Sequence, residues 1–297
     1  MSGQIDPKAL LVGFTPSKRF FVGIDSDGCA FDTMEVKWKE CFIPQMIRHF
    51  GLAAVSRFAR EASEYINLYS PTRGVNRFPS LVLTFDLLAS HPEVIERGFP
   101  LPELRGLRDW VQAESNLSNP VLKAAVAATG DPDLVQTLAW SEAVNQSIRE
   151  TVHNVPPFPS VRKSLEAISA DADIMVVSAT PSEALDREWR EHDLASFVKV
   201  IAGQEMGTKT QVLDLATSGK YEPNCVLMIG DAPGDLAAAR NVGALFYPIE
   251  PGHEEASWKR FYTEALPRFF DLTYVGDFMN ERLAAFHRLL PDKPPWA

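Results

Sequence analysis

No apolar stretch in this 297-residue sequence approaches the ~20 residues needed to cross a bilayer, which excludes a helical membrane span. Positive charge is in short supply. Twenty-nine Lys and Arg against 39 Asp and Glu give a formal net charge of −10, which argues against nucleic acid as a main partner, because that role needs clustered cations. Cysteine is scarce, and Cys29, Cys41 and Cys225 form no CxxC pair, so neither a disulfide framework nor a cysteine zinc site is indicated. The six histidines contain no HExxH or HxxEH pattern. There is no internal repeat, no low-complexity tract, and no basic segment leading into an apolar run and small-residue cleavage site. These absences lead us to expect a soluble cytoplasmic chain that binds neither nucleic acid nor membrane. They leave its oligomeric state open.

What is present fits a soluble globular protein. With 45% hydrophobic and 23% charged residues the chain can bury a core, and its length points to two domains or one large domain carrying an insertion. Short apolar runs at Phe20 to Ile24, Ile174 to Val177 and Cys225 to Ile229 have the length of buried parallel strands, and weaker runs at Val198 to Ala202 and Ala244 to Ile249 complete a set of five. Helical segments separate them: Ser160 to Ser169, Glu183 to Glu191, Thr208 to Ala216 and Asp235 to Asn241. The alternation predicts an α/β fold, a doubly wound parallel sheet with polar strand endings gathered at its carboxyl edge.

Between Thr33 and Pro156 the periodicity becomes helical. Ile43, Met46, Ile47 and Phe50 fall at i, i+3, i+4 and i+7, with Pro44 placed to open that helix, and Asp131-Pro132-Asp133 signals the start of another. Pro156-Pro157-Phe158-Pro159 reads as a stiff return linker, residues 258 to 290 as two further helices, and 291 to 295 as a tail. The expected organisation is a discontinuous core, 1–33 and 156–297, interrupted by an all-helical insertion, 34–155.

The strand endings carry the chemistry. Asp25-Ser26-Asp27-Gly28 closes the first strand and is followed by Asp32-Thr33. Ser178 closes the second, Lys209 stands near a helix start, and Gly230-Asp231-Ala232-Pro233-Gly234-Asp235 follows the fourth. Each segment alone also fits ordinary turn or helix-cap chemistry. In this order they resemble the four motifs of the haloacid dehalogenase-like (HAD) phosphohydrolases, hydrophobic-DxDGxxxDT, a strand-ending Ser or Thr, a lone Lys, and GDxxxD. The resemblance covers residues 1 to about 33 and about 156 to 250. The helical insertion sits where the phosphoglycolate phosphatase-like branch of this family places its C1 cap. Thr210 departs from the Lys-Pro common in relatives.

The resemblance implies a Mg²⁺-dependent phosphatase acting on a small phosphorylated metabolite. Asp25 would be the nucleophile that forms an aspartyl phosphate. Asp27 would be the general acid and then base, its backbone carbonyl also binding metal. Asp25 and Asp231 would hold Mg²⁺, Ser178 and Lys209 would stabilise the transferring group, and Asp235 would orient a metal water or Lys209. Thr180 competes with Ser178 for the hydroxyl role. Gly28 would let the backbone turn at the phosphate. Asp27 favours phosphate esters, since dehalogenases and phosphonatases of the family lack an acid there. A phosphosugar mutase, or a catalytically idle binding module on the same core, remains open.

Two further segments bear on anion binding. The segment Gly203 to Thr210 imitates a P-loop, but Thr208 stands where a Gly must precede the Lys. The segment Tyr69 to Pro79 interrupts the helical insertion with Gly, Pro and two arginines, and we expect Arg73 or Arg77, with Asn76, to contact an anionic substrate group, the alternative being surface charge.

Overall fold

The computed structural model describes residues 7–296. The chain divides into two compact units, Met1–Thr33 with Asn154–Leu289, and Met34–His153 with Leu290–Ala297. Among the described residues no helix is long and apolar enough to cross a membrane.

The first unit is built on a five-stranded sheet: β1 (Phe20–Ile24), β2 (Ala172–Val177), β3 (Val200–Ala202), β4 (Val226–Gly230) and β5 (Leu245–Pro248). Its order is β3-β2-β1-β4-β5, and every pairing is parallel. The α/β doubly wound class is thereby borne out, with each expected strand present and shifted by no more than two residues at either end. Because side chains alternate along a strand, the apolar runs supply two cores. Val22, Ile24, Ile174, Val176, Leu227 and Ile229 pack on one face under Leu165 and Trp258. Phe21, Met175, Val177 and Met228 pack on the other under Val212 and Leu236. Since β1 is central and the chain leaves it for β2 on one side and later β4 on the other, the crevice where strand order reverses opens at the carboxyl ends of these three strands.

The second unit is all helical around its own core, including Met46, Phe58, Phe85, Leu107 and Trp140. The helix expected at Asp131 runs Pro132–Thr151, and the Asp131 carboxylate accepts from the Asp133 and Leu134 amides. Pro44 stands in the first turn of the α-helix Ile43–His49, as expected, but that helix does not start from a loop. The chain is already helical from Thr33 and passes through a π turn at Lys37–Phe42 directly ahead of it, a wide turn that accommodates a residue with no N–H to donate. Residues 290–296, assigned from the sequence to the core that holds the sheet, group instead with these helices. Tyr65 Oη donates to the Pro291 carbonyl at 2.7 Å, and the Trp296 ring lies 5.1 Å from that of His91.

Candidate active site

At the three central strands, β2, β1 and β4, the residue after the strand is polar and buried. Asp25 follows β1 and is 5% exposed, Ser178 follows β2, and Asp231 follows β4 and is fully buried. The Asp25 amide still donates to the Ile229 carbonyl at 3.0 Å, so the sheet's hydrogen bonding carries the chain to the point where the aspartate emerges. Gly28 then takes a left-handed φ of 78°, and its amide closes a tight loop by donating to the Phe31 carbonyl at 2.8 Å.

Lys209 is brought in by the helix Lys209–Thr217, between β3 and β4 in the chain. Thr208 and Gln211 form a reciprocal capping box: the Gln211 amide donates to Thr208 Oγ1 at 3.2 Å and the Thr208 amide to Gln211 Oε1 at 3.0 Å. Lys209 is therefore the first helical residue. Its Nζ donates to Asp25 Oδ2 at 2.7 Å and to Asp235 Oδ1 at 2.5 Å. The other oxygen of Asp235 accepts from the Ala232 amide at 3.0 Å, which pins that carboxylate to the start of its helix. Gly230 makes the approach possible, because a Cβ there would stand 2.5 Å from the Asp235 side chain.

The electrostatics follow from crowding. Burial pushes the Asp25 carboxyl up to about 6, with Asp235 adding to the rise and Lys209 opposing it. Burial likewise raises Asp235, with Lys209 opposing and Asp231 adding. Burial alone would depress Lys209, but Asp235 and Asp25 hold it above the ordinary lysine range. Asp25, Asp231 and Asp235 each present an oxygen within 4.8 Å of the others, all buried. Among the described residues this is the group of acids that meets the spacing for a metal, and three hard carboxylate oxygens are the donor set that suits Mg²⁺.

Asp27, two residues on from Asp25, is held by hydroxyls. Thr180 Oγ1 donates to its Oδ2 at 2.8 Å, and Thr33 Oγ1 donates to its Oδ1. The sequence left Thr180 as a rival to Ser178, and the structure separates them: Ser178 Oγ accepts the Thr180 amide at 3.3 Å, while Thr180 serves Asp27. Thr33 belongs to the first motif but was given no task; its place at the end of DxDGxxxDT was the available signal. Cys29 is buried, its thiol pushed well up by burial, as packing requires.

The residues singled out in the helical unit have internal partners. Asn76 caps the helix Arg77–Ala89 by accepting the Phe78 amide, and its amide nitrogen reaches the Leu117 carbonyl at 2.9 Å. Arg77 donates to Ser141 Oγ at 3.0 Å and Asn145 Oδ1 at 2.7 Å, lies over the Phe42 ring, and is lowered to about 10 by burial. Arg73 is buried and donates to the Leu68 carbonyl at 2.8 Å; burial opposes the lowering of the nearby Glu35 carboxyl, which comes mainly from Lys39 and Tyr69 with Arg73 adding to it.

The family model described as haloacid dehalogenase-like hydrolase matches residues 112–248. A curated relative, "Phosphoglycolate phosphatase" of Vibrio vulnificus (strain YJ016), is 26% identical over 196 residues, covering 60% of this chain and 84% of the relative. Among solved structures, a putative phosphoglycolate phosphatase from Lactobacillus delbrueckii subsp. bulgaricus aligns at 15% identity over 77% of this chain and 85% of that one, with a TM-score of 0.47. A putative beta-phosphoglucomutase from Bacteroides vulgatus aligns at 14% identity over 90% and 99%, also at 0.47. The family match spans Ser178, Lys209 and Gly230 to Asp235 but not Asp25 to Thr33, and together with the curated relative it agrees with the resemblance to haloacid dehalogenase-like hydrolases.

Proposed function

We propose that the sheet unit hydrolyses a small phosphate monoester with the help of Mg²⁺, through an aspartyl phosphate on Asp25, and that the helical unit is its cap. The observation that carries this reading is the convergence of Asp25, Asp231, Asp235 and Lys209, distant in sequence, at adjoining carboxyl ends of one sheet. Asp25 and Asp231, with the backbone carbonyl of Asp27, are the residues assigned to the metal. Bound there, Mg²⁺ would supply the positive charge that lets a carboxylate approach a phosphate dianion.

The remaining chemistry belongs to the chain. A carboxylate oxygen of Asp25 forms a bond to phosphorus as the bond to the ester oxygen breaks, and Asp27 gives its proton to that departing oxygen. Asp27, now ionised, takes a proton from a water molecule that attacks phosphorus, freeing inorganic phosphate and restoring Asp25. The Thr33 and Thr180 hydroxyls keep the Asp27 carboxyl in one orientation through both transfers. Lys209 offsets charge on the transferring group while Asp235 holds the ammonium in place. Ser178, buried at the end of β2, is assigned a hydrogen bond to a phosphoryl oxygen. In the cap, Arg73 is the residue we retain for an anionic substrate group. The partners of Asn76 and Arg77 give those two side chains a share in holding the helices together.

The name of the curated relatives places phosphorylated two-carbon acids first among substrates to try. A screen of phosphoglycolate, sugar phosphates and nucleotides, with and without Mg²⁺, should give phosphate release that needs the metal and is lost in Asp25→Asn by at least about 10³-fold. Isomerised sugar phosphate without free phosphate would identify a mutase. Phosphate release that survives Asp25→Asn would refute the nucleophile.

A further inference from the structure

The loop that carries Asp25 and Asp27 is held from beneath by two buried indoles. Ser26 lies between the two aspartates, and by the alternation of an extended chain its side chain turns the opposite way, into the core. There Ser26 Oγ accepts from Trp189 Nε1 at 3.0 Å and donates to Glu188 Oε2 at 2.9 Å. Three residues on, the Cys29 carbonyl accepts from Trp258 Nε1 at 2.7 Å. Ser26, Cys29, Trp189 and Trp258 are all fully buried. Trp189 also sets its ring edge-on to Phe31, 5.8 Å between centroids, so one side chain braces both ends of the loop.

The loop's own hydrogen bonds depend on this placement. The amides of Cys29, Ala30 and Phe31 all turn toward the Ser26 carbonyl, at 3.2, 2.9 and 3.1 Å. A shift of Ser26 would therefore carry both aspartates and the turn between them. The arrangement is more specific than packing requires. Filling the same volume needs only rings, whereas two indole N–H groups ending on one seven-residue loop fix its height and rotation.

We propose that Trp189 and Trp258 are positioning residues for the phosphoryl-transfer site, acting through Ser26 Oγ and the Cys29 carbonyl to hold Asp25 and Asp27 in register with Asp231 and Lys209. The proposal rests on the phosphatase reading for its catalytic consequence but not for its structural one. Glu188 completes the arrangement by fixing which way the Ser26 hydroxyl donates, leaving its lone pair to the indole.

The test compares Trp189→Phe, Trp258→Phe and the milder Ser26→Ala with Trp140→Phe. Trp140 is an equally buried indole of the helical unit, whose N–H reaches the Phe42 carbonyl at 3.4 Å. Two measurements are made on the full chain: backbone amide exchange at residues 28–31 in the metal-free protein, and kcat and KM for p-nitrophenyl phosphate with Mg²⁺. The first three variants should exchange at least about ten-fold faster at these amides and lose about ten-fold in kcat, with KM within about two-fold. Trp140→Phe should lower Tm without either change. Unaltered exchange at 28–31 in both Trp189→Phe and Ser26→Ala overturns the proposal, whatever the activity. Faster exchange with kcat intact also overturns it, since the loop's position would then not matter to turnover. Faster exchange in a protein whose wild type releases no phosphate from any ester supports the bracing of the loop and refutes the phosphatase reading instead.

Discussion

The two edges of the same sheet each hold buried acid, and they treat it in opposite ways. At the amino edge, Asp173 is the second residue of β2 and accepts from Ser17 Oγ at 2.5 Å, the Ser17 and Lys18 amides at 2.8 and 3.0 Å, and Tyr221 Oη at 2.8 Å. Burial would raise its carboxyl, but these donors more than compensate and hold it below the usual range. At the carboxyl edge, Asp25 and Asp235 share one ammonium and are raised. An acid surrounded by donors fastens a structure, whereas acids crowded together with too few donors keep a demand for positive charge that a metal and substrate can meet.

Breaking the carboxyl edge should have the largest effect on turnover. Lys209→Met removes the ammonium that Asp25 and Asp235 share, and kcat for a phosphate ester should fall by at least about 10²-fold in steady-state assays. Mg²⁺ binding measured by calorimetry should survive, because the carboxylates remain. Breaking the amino edge should do the reverse. Asp173→Asn leaves four donors facing an amide that can satisfy only part of them, and chemical denaturation should show a loss of about 1–3 kcal/mol with kcat unchanged.

Acidity sharpens the contrast further. The folded value of about 6 for Asp25 lies above its ordinary 3.8, so in metal-free protein its contribution to stability is fully present below about pH 4 and is lost as the pH rises through 6. Asp173, with a lowered folded value, contributes above 3.8 and loses that contribution as the pH falls through its folded value. Thermal melts of metal-free protein from pH 4 to 7 should show a decline that Asp25→Asn reduces, the raised Asp235 accounting for part of the rest. Mg²⁺ affinity should rise over the same interval, as the competing proton leaves. The smallest effect concerns orientation. Thr180→Val removes one of the two hydroxyls on Asp27 and should lower kcat only several-fold, with Tm little changed, in parallel kinetic and melting measurements.

Sequence legibility follows the range over which each feature is encoded. The strands β1, β2 and β4 could be read because apolar runs bounded by Asp, Ser and Gly are local patterns, and the acids fall where those runs stop. The capped start at Asp131 could be read for the same reason. The hydroxyl of Thr180 on Asp27 and the indole of Trp189 on Ser26 could not, because 153 and 163 residues separate the partners and no spacing rule links them. Asn76 and Arg77 show a different limit. A loop rich in Gly, Pro and Arg reads as a binding surface, and nothing local shows that Leu117, Ser141 and Asn145 also lie against it. The C-terminal segment carried no local signal at all, and its association with Tyr65 and His91 is visible only in three dimensions.

The capping box ahead of Lys209 bears on how freely the neighbouring chain can vary. Each residue turns a helix by about 100°, so if the connector's length decided where the helix began, one inserted residue would swing the ammonium away from both its carboxylates. The Thr208 and Gln211 bonds decide it instead, with Gly207 at a φ of 117° leaving room for the Gln211 oxygen. The turn at 203–206 is fastened in its own right, the Gln204 amide donating to the Thr180 carbonyl and Ser182 to Glu205, so an insertion there would cost those bonds before it reached the lysine, whose angular setting is guarded twice over.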